Sequence, residues 1–234
     1  MKYLSWKSAK NRSQFSRPAA IVNDRGLIVG DRILDYGCGR GGDVARWSAM
    51  GYRAVGFDPY WSPEFPSLSD RFPTVTLFYV LNVLPRVSER IEVLDKAWGF
   101  CDRRLIVANI TGGATLISGD RYFVEMSTWD IKRLIVCVCR KIPQFVASGI
   151  YFVDRDSPDA RLYTWIEAIE EIDRIREDQP IANDGDYLSC DRGRMVYYCG
   201  GKSRRFNVRD RDLDKYRGAI ERRDRIRLIQ LCTF

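Results

Sequence analysis

The chain of 234 residues predicts an α/β fold, in which helices cover a largely parallel sheet. Three observations within residues 31–58 support this prediction. A short apolar strand at residues 33–34 runs into a glycine-rich turn, a helix follows from about Asp43 to Met50, and a second strand, Ala54 to Phe57, ends at Asp58. This order of strand, tight turn, helix and strand is typical of the first unit of a doubly wound sheet.

The turn combines alternating glycines with carboxylates at both of its ends. Glycines allow the backbone to turn sharply and to approach a ligand closely. Asp35 precedes them and Asp43 opens the helix, so the pair would repel the diphosphate of a dinucleotide but suits a ligand that carries an ammonium and a sulfonium. Asp58 leaves the second strand where a carboxylate accepts the hydroxyls of a ribose. The glycines are Gly37, Gly39, Gly41 and Gly42.

This stretch resembles motif I of the class I S-adenosylmethionine-dependent methyltransferases. The resemblance implies a Rossmann-like class I methyltransferase sheet, S-adenosyl-L-methionine as cofactor and S-adenosyl-L-homocysteine as product. The residues expected at the cofactor are Asp35, Tyr36, Gly37, Cys38, Gly39, Asp58, Pro59, Tyr60 and Asn82.

The segment after Asp58 predicts that the sheet lacks its third, edge strand. Residues 59–73 are rich in proline and predict a loop, and residues Thr74 to Leu81 predict the next strand. A standard methyltransferase has a helix, a strand and another helix at this point, and a connection this short cannot hold them. We therefore expect Thr74–Leu81 to lie beside the first strand, with the loop covering the adenine through Pro59, Tyr60 and Trp61.

The remaining elements divide the chain into three predicted parts. Residues 1–30 form a basic segment with a helix from Ser16 to Asp24, residues 31–156 form the core domain, and residues 157–234 form a helical, basic extension. The other predicted elements are a helix capped by Ser88 that ends at Phe100, a strand Leu105 to Ile110, a helix capped by Ser127 that ends near Lys141, two strands within 143–153, and helices at about 158–178 and 208–231.

Asn82 is the residue predicted to face the substrate, because it follows the strand Thr74–Leu81. Its amide could accept a hydrogen bond from a substrate amine and align it with the methyl group, a transfer that needs mainly alignment and desolvation. An equally weighted alternative is that Asn82 only caps the strand or contacts the methionine moiety. The run Asp58 to Trp61 looks like the D-P-P-Y signature of amino-group DNA methyltransferases, but it follows the second strand instead of the fourth.

Other catalytic classes find little support in the residue types. The chain has no histidine, so an imidazole base or metal ligand is excluded. No Pro-Cys pair is present to supply the nucleophile of C5-pyrimidine methylation, and we predict no metal site. No apolar run is long enough to span a membrane, and the odd number of seven cysteines, with no secretion signal, predicts reduced thiols in the cytoplasm.

Positive charge is concentrated at the two ends. Residues 1–30 carry six Lys and Arg against one Asp, hence +5, and residues 201–234 carry eleven against five acids, hence +6. The overall +7 leaves 7 − 11 = −4 for residues 31–200. Basic ends on an acidic body predict a nucleic-acid partner, although solvated basic helices explain the same pattern. The expected contacts are Lys7, Arg12, Arg17, Arg204 and Arg205.

An ordered set of segments is similar to the methyltransferases associated with DNA phosphorothioation systems. These segments lie between about residues 7 and 170, and residues 180–234 match nothing recognised. They are K-S-A-K-N-R-S-Q-F-S-R-P, G-L-I, L-D-Y-G-C-G-R-G-G-D, G-F-D-P-Y, Y-V-L-N-V-L and G-I-Y-F-V-D-R-D. The resemblance implies a class I fold, S-adenosylmethionine and a role linked to nucleic acid.

We therefore predict a cytoplasmic methyltransferase acting on a nucleic acid or a nucleotide-like substrate. One alternative is a non-catalytic nucleic-acid-binding module that keeps the fold. Another is a small-molecule methyltransferase whose basic helix mediates dimerisation. The glycine loop with Arg46-Trp47 also looks like that of the mRNA cap guanine-N7 methyltransferases, but those carry additional strands and a cap-contacting histidine that this chain lacks.

Overall fold

The computed structural model divides into two compact units, residues 1–160 and 161–234. In the first unit it describes residues 5–67, 69–112, 115–118 and 121–160, and in the second it describes the backbone of three strands. No helix in these described stretches is long and apolar enough to cross a membrane.

The first unit alternates helices and strands from residue 17 onward. The α-helices are α1 (Arg17–Asp24), α2 (Gly42–Ala49), α3 (Val87–Phe100) and α4 (Thr128–Cys139), and short 3-10 helices lie at Ser5–Ser8 and Leu81–Val83. The strands are β1 (Arg32–Tyr36), β2 (Arg53–Phe57), β3 (Phe72–Phe78), β4 (Cys101–Ala108), β5 (Thr115–Ser118), β6 (Arg121–Val124), β7 (Gln144–Ala147) and β8 (Ile150–Asp154).

Six strands form the central sheet in the order β2-β1-β3-β4-β8-β7. The first four are parallel, and β8 runs antiparallel to both β4 and β7. The strand after the proline-rich loop lies beside β1, as predicted, and pairs Asp35 with Thr76. No strand within the described residues joins the sheet beyond β2, so the prediction of a sheet without its third strand is confirmed.

Side chains from the two faces of the sheet enter separate cores, because successive residues of a strand point to opposite faces. Leu34 packs on the face covered by α3 and α4, together with Leu94 and Ile135. Ile33 packs on the other face with Trp47 of α2 and with α1. The strand β1, which leads into the glycine turn, is therefore packed on both faces.

Two of the three predicted helix caps are confirmed. The Ser16 hydroxyl accepts a hydrogen bond from the Ala19 amide, and the Ser127 hydroxyl accepts one from the Asp130 amide. The prediction that Ser88 caps α3 was wrong. The helix begins at Val87, because the Glu89 carboxylate accepts the Arg86 amide hydrogen and fixes the first turn earlier in the chain.

The predicted start of the next helix, at about residue 158, was also wrong. The Ile142 amide donates to the Pro158 carbonyl and the Ala160 amide to the Arg140 carbonyl, so this segment pairs with the chain after α4. Lys141 and Asp159 form an ion pair across it. The rest of that predicted helix, residues 161–178, lies outside the described residues.

The described part of the second unit is an antiparallel sheet in the order β11-β10-β9. Its strands are β9 (Tyr187–Asp191), β10 (Arg194–Cys199) and β11 (Lys202–Asn207). The extension was predicted to be helical, and these strands correct that prediction for residues 187–191, 194–199 and 202–207. The predicted helix at about 208–231 lies outside the described residues.

Candidate cofactor and substrate site

A cavity of about 660 Å³ lies at the carboxyl ends of β1, β2 and β3. Ligands of open parallel sheets bind at this edge, where the loops after neighbouring strands meet. Eight of the residues predicted to bind the cofactor line the cavity, and they come from the end of β1 and from the loops after β1 and β2. These eight are Asp35, Tyr36, Gly37, Cys38, Gly39, Asp58, Pro59 and Tyr60.

Asp58 joins the two loops through its carboxylate. Oδ2 accepts the Gly39 amide at 3.1 Å, and Oδ1 accepts the amides of Tyr60 at 2.9 Å and Trp61 at 3.0 Å. A carboxylate has about four acceptor positions, so about one is left for a ligand. A ribose with two hydroxyls would therefore take the place of one of these backbone donors.

Asp35 is a buried carboxyl group at the end of β1, with 4% of its surface exposed. The Thr76 hydroxyl donates to its Oδ1 at 2.8 Å. The pKa of Asp35 is raised from 3.8 to about 7, mainly by burial and to a smaller extent by the carboxylates of Asp43 and Asp58, while the Thr76 hydrogen bond lowers it. The cavity thus brings three carboxyl groups together, and a cationic ligand would reduce the repulsion between them.

Two glycines of the turn make room for other parts of the chain. Gly37 has φ 86°, and a Cβ there would overlap the Val80 side chain that follows β3. A Cβ on Gly39, which has φ 55°, would come within 3.2 Å of the Ala9 Cβ. The alternating glycines, predicted for their approach to a ligand, also pack the turn against β3 and the N-terminal segment.

The N-terminal segment covers one side of the cavity, which the sequence pattern did not predict. Trp6 stacks on Tyr60 with ring centroids 4.2 Å apart and planes 5° apart. The Trp61 indole donates to the Trp6 carbonyl at 3.3 Å, and the Arg40 guanidinium lies 3.7 Å from the Trp61 ring centroid. Trp61 therefore supports the wall behind Tyr60. Only the tryptophan at position 6 hinted at this contact.

Tyr79 lies at the carboxyl end of β3 and lines the cavity, and sequence analysis missed it. It has φ 61°, a left-handed backbone that is unusual for an aromatic residue. Its amide donates to the Ala108 carbonyl at 2.8 Å. Burial raises the pKa of Tyr79, against the influence of Arg17, which hydrogen-bonds its side chain, and of Arg12.

Asn82 is not among the residues that line the cavity, so the structure does not place it where the prediction of a substrate-facing residue expects it. It is fully buried, its amide nitrogen donates to the carbonyls of Ile110 and Val124, and its amide oxygen accepts the Ile110 amide at 3.1 Å. These bonds join the end of β3 to the segments after β4 and β6. The structural alternative for Asn82 therefore applies.

Thiol and metal chemistry find no support in the cavity. Cys38 lines it, but burial, with added repulsion from Asp35 and Asp58, raises the pKa of the thiol to about 12. A thiol at that pKa is protonated at neutral pH and is a poor nucleophile. In the described part of the chain, no group of three or more Cys, Asp or Glu side chains could hold a metal ion.

The five basic residues predicted to contact nucleic acid lie in different places. Arg12 lines the cavity, and Arg17 is the first residue of α1, beside Tyr79. The Lys7 ammonium lies 5.6 Å from the Trp6 ring centroid. Arg204 and Arg205 belong to β11 in the second unit. The nucleic-acid role of all five stays a prediction.

The strand order, the antiparallel β8 and the glycine turn followed by an acid after β2 together decide the fold class. The fold is that of a class I methyltransferase without its third strand. No family model matches the chain, and no curated protein matches it.

Solved structures similar to this chain include methyltransferases. The 1,6-didemethyltoxoflavin-N1-methyltransferase of Burkholderia thailandensis, with S-adenosylhomocysteine bound, is 19% identical over 59% of this chain and 75% of its own, with a TM-score of 0.45. The magnesium protoporphyrin IX methyltransferase of Synechocystis is 14% identical over 65% and 93%, with a TM-score of 0.45. A methyltransferase of Methanosarcina mazei is 13% identical over 58% and 98%, with a TM-score of 0.46. At these values the fold assignment rests on the strand order of this chain.

Proposed function

We propose that this protein is an S-adenosylmethionine-dependent methyltransferase. The observation that carries the proposal is the cluster of three carboxylates, Asp35, Asp43 and Asp58, around the glycine turn in one cavity. These groups oppose a diphosphate and favour a ligand with an ammonium and a sulfonium. The volume of about 660 Å³ falls within the roughly 300–1,000 Å³ of ligand pockets.

The residues present fit this cofactor. Asp58 would hold the ribose hydroxyls. The buried Asp35 carboxyl group, whose pKa is raised in the free protein, would face the positive charge of the cofactor, and this charge would favour its ionised form. Aromatic side chains of Tyr36, Phe57 and Phe65 form an apolar wall of the cavity. When bound, the cofactor supplies a methyl group on a sulfonium. The chain contributes alignment and exclusion of water, which are the main requirements of this transfer.

For the substrate we propose a nucleic acid or a nucleotide. The charges of +5 on residues 1–30 and +6 on residues 201–234 support a polyanionic partner. The proposed relation to the methyltransferases of DNA phosphorothioation systems points the same way. A small-molecule substrate is the second candidate, and it is favoured by the stack of Trp6 on Tyr60, which covers one side of the cavity.

Calorimetry with S-adenosylmethionine tests the enzyme proposal. We expect binding to the unmodified protein, a loss of at least tenfold in affinity for Asp58→Ala, and no change for Asp102→Ala. Asp102 is a matched control because its exposed carboxylate lies at the amino end of β4, away from the cavity. If the protein does not bind the cofactor, or if Asp58→Ala binds equally well, the methyltransferase proposal fails and a binding module with this fold takes its place.

Transfer of a labelled methyl group tests the substrate. DNA, tRNA, total RNA and a mixture of nucleotides would be offered in parallel, at low and at physiological salt. Labelling of a nucleic acid that falls steeply with salt supports the nucleic-acid proposal, since phosphate contacts weaken with ionic strength. Labelling confined to small molecules contradicts it.

A further inference from the structure

Two arginines flank Tyr79 at the mouth of the cavity. Arg12 lines the cavity, Arg17 hydrogen-bonds the Tyr79 side chain, and both arginines are exposed to solvent. Among the ion pairs within the described part of residues 5–160, none involves either guanidinium. Asp43 lines the same cavity and acts on Tyr79 against the two arginines, and its Oδ1 accepts the Ser16 amide at 2.8 Å. Two guanidinium groups therefore act on one phenol group, and among the described residues neither of them forms an ion pair.

The backbone of Tyr79 has an unusual conformation next to the residue that packs on the glycine turn. Its φ of 61° is a conformation that an aromatic residue adopts only when its surroundings impose it. The bond from its amide to Ala108 fixes it to β4, and Val80 fills the space beside Gly37. Such outliers concentrate at functional sites, where the fold maintains a strained residue in a required position.

The set of donors selects one class of anion. Two guanidinium groups and one phenol hydroxyl offer many more donors than the two oxygens of a carboxylate can satisfy. A phosphate presents more acceptor oxygens, and arginine is the residue suited to binding them in pairs. The ring of Tyr79 also provides a flat surface on which a base can stack.

We propose that Arg12, Arg17 and Tyr79 bind a phosphate group of the substrate beside the group that receives the methyl. This inference rests on the proposed methyltransferase function and gives its substrate a required feature. The phosphate belongs either to a single-stranded nucleic acid or to a free nucleotide, which share this chemistry. The phosphate is bound at the carboxyl end of β3, and the base is directed into the cavity.

The test is calorimetry on the full chain saturated with S-adenosylhomocysteine. The probes are a single-stranded hexathymidylate, thymidine 5′-monophosphate and thymidine. We expect a phosphorylated probe to bind and thymidine not to bind. Arg17→Ala and Arg12→Ala should each weaken binding at least tenfold, and Tyr79→Phe a few-fold. For the hexamer each lost arginine should also reduce the salt dependence by about one phosphate contact.

Arg103→Ala is the matched control, because Arg103 is an exposed arginine near the amino end of β4, away from the cavity. It should bind the probes as the unmodified protein does. The affinity of Arg17→Ala for S-adenosylhomocysteine is measured in the same series and should stay within about twofold, which shows that the variant is folded.

Each outcome assigns or overturns the site. Binding of the hexamer alone assigns the phosphate to a nucleic acid, and equal binding of the mononucleotide assigns it to a nucleotide. Equal binding of thymidine, no binding of any probe, or binding unaffected by both arginine variants overturns the phosphate site. No binding of S-adenosylhomocysteine to the unmodified protein overturns the proposed function itself, so the two failures are distinguishable.

Discussion

Replacing Asp35 by asparagine separates the effect of its buried charge on stability from its effect on cofactor binding. The side chain keeps its shape, and the Oδ1 of asparagine can still accept the Thr76 hydroxyl that lies 2.8 Å away in the protein. Only the ability to ionise is lost. We expect the variant to be more stable than the unmodified protein at neutral pH and to bind S-adenosylmethionine less tightly.

The size of the stability gain follows from the raised pKa. Asp35 has a pKa of 3.8 in the unfolded chain and about 7 in the folded protein, so it opposes folding at any pH where it ionises more readily in the unfolded chain. This destabilisation is absent in strong acid and grows until about pH 7. Each pH unit in that window is worth about 1.4 kcal/mol. The unfolding free energy of Asp35→Asn should exceed that of the unmodified protein, and this difference should grow by about 2 to 3 kcal/mol from about pH 5 to about pH 8.

Urea denaturation at about pH 5, 6, 7 and 8 measures this difference directly, and thermal melting should show a gain of roughly 4 to 12 °C over the same range. The exposed Asp102→Asn should show no such trend. Calorimetry of the unmodified protein should find that cofactor affinity increases from about pH 6 to pH 8, as Asp35 ionises. A stability difference that does not change with pH, or a variant that binds the cofactor with undiminished affinity, would refute the reasoning.

Three further predictions concern packing at the site. Gly37→Ala should lower the free energy of unfolding by about 2 to 4 kcal/mol in urea denaturation, because its Cβ would meet a side chain and its φ is 86°. Gly26→Ala, with φ 59° and open space around it, should lower it by only about 1 kcal/mol. Equal losses would contradict the packing role. Trp6→Ala should weaken cofactor binding a few-fold in calorimetry because it removes a wall, and unchanged binding would exclude that role. Asn82→Ala should lose about 2 to 4 kcal/mol in the same denaturation assay by leaving buried backbone groups without partners, and loss of activity with unchanged stability would restore the catalytic hypothesis.

The cofactor loops were predictable because they are local. The acid, the glycines and the second acid lie within residues 31–58, and the sequence spacing by itself places them at one edge of a parallel sheet. The missing third strand was predictable for a similar reason, since chain length limits what a connection can hold. Neither prediction needed any contact between distant parts of the chain.

The substrate side was not predictable, because it depends on where a strand ends. The apolar pattern extends to Leu81, and it led to Asn82 as the first residue past the strand. In the structure β3 ends at Phe78. Tyr79 then adopts a left-handed backbone conformation, which an aromatic residue in the sequence does not predict. The contact of Trp6 with Tyr60 joins positions 54 residues apart and has no local pattern at all.

The absent third strand also leaves β2 at the rim of the sheet. In the described part of the chain it pairs only with β1, and Val55 in its middle is 40% exposed. An unpaired rim can recruit another strand, and here a short strand with Arg53, paired to Asp31, limits that risk. Asp58 follows directly after this strand. A designed peptide that lengthened the sheet at this rim would thus act next to Asp58, the acid proposed to hold the ribose, which offers an engineered route to control cofactor affinity without touching the cavity.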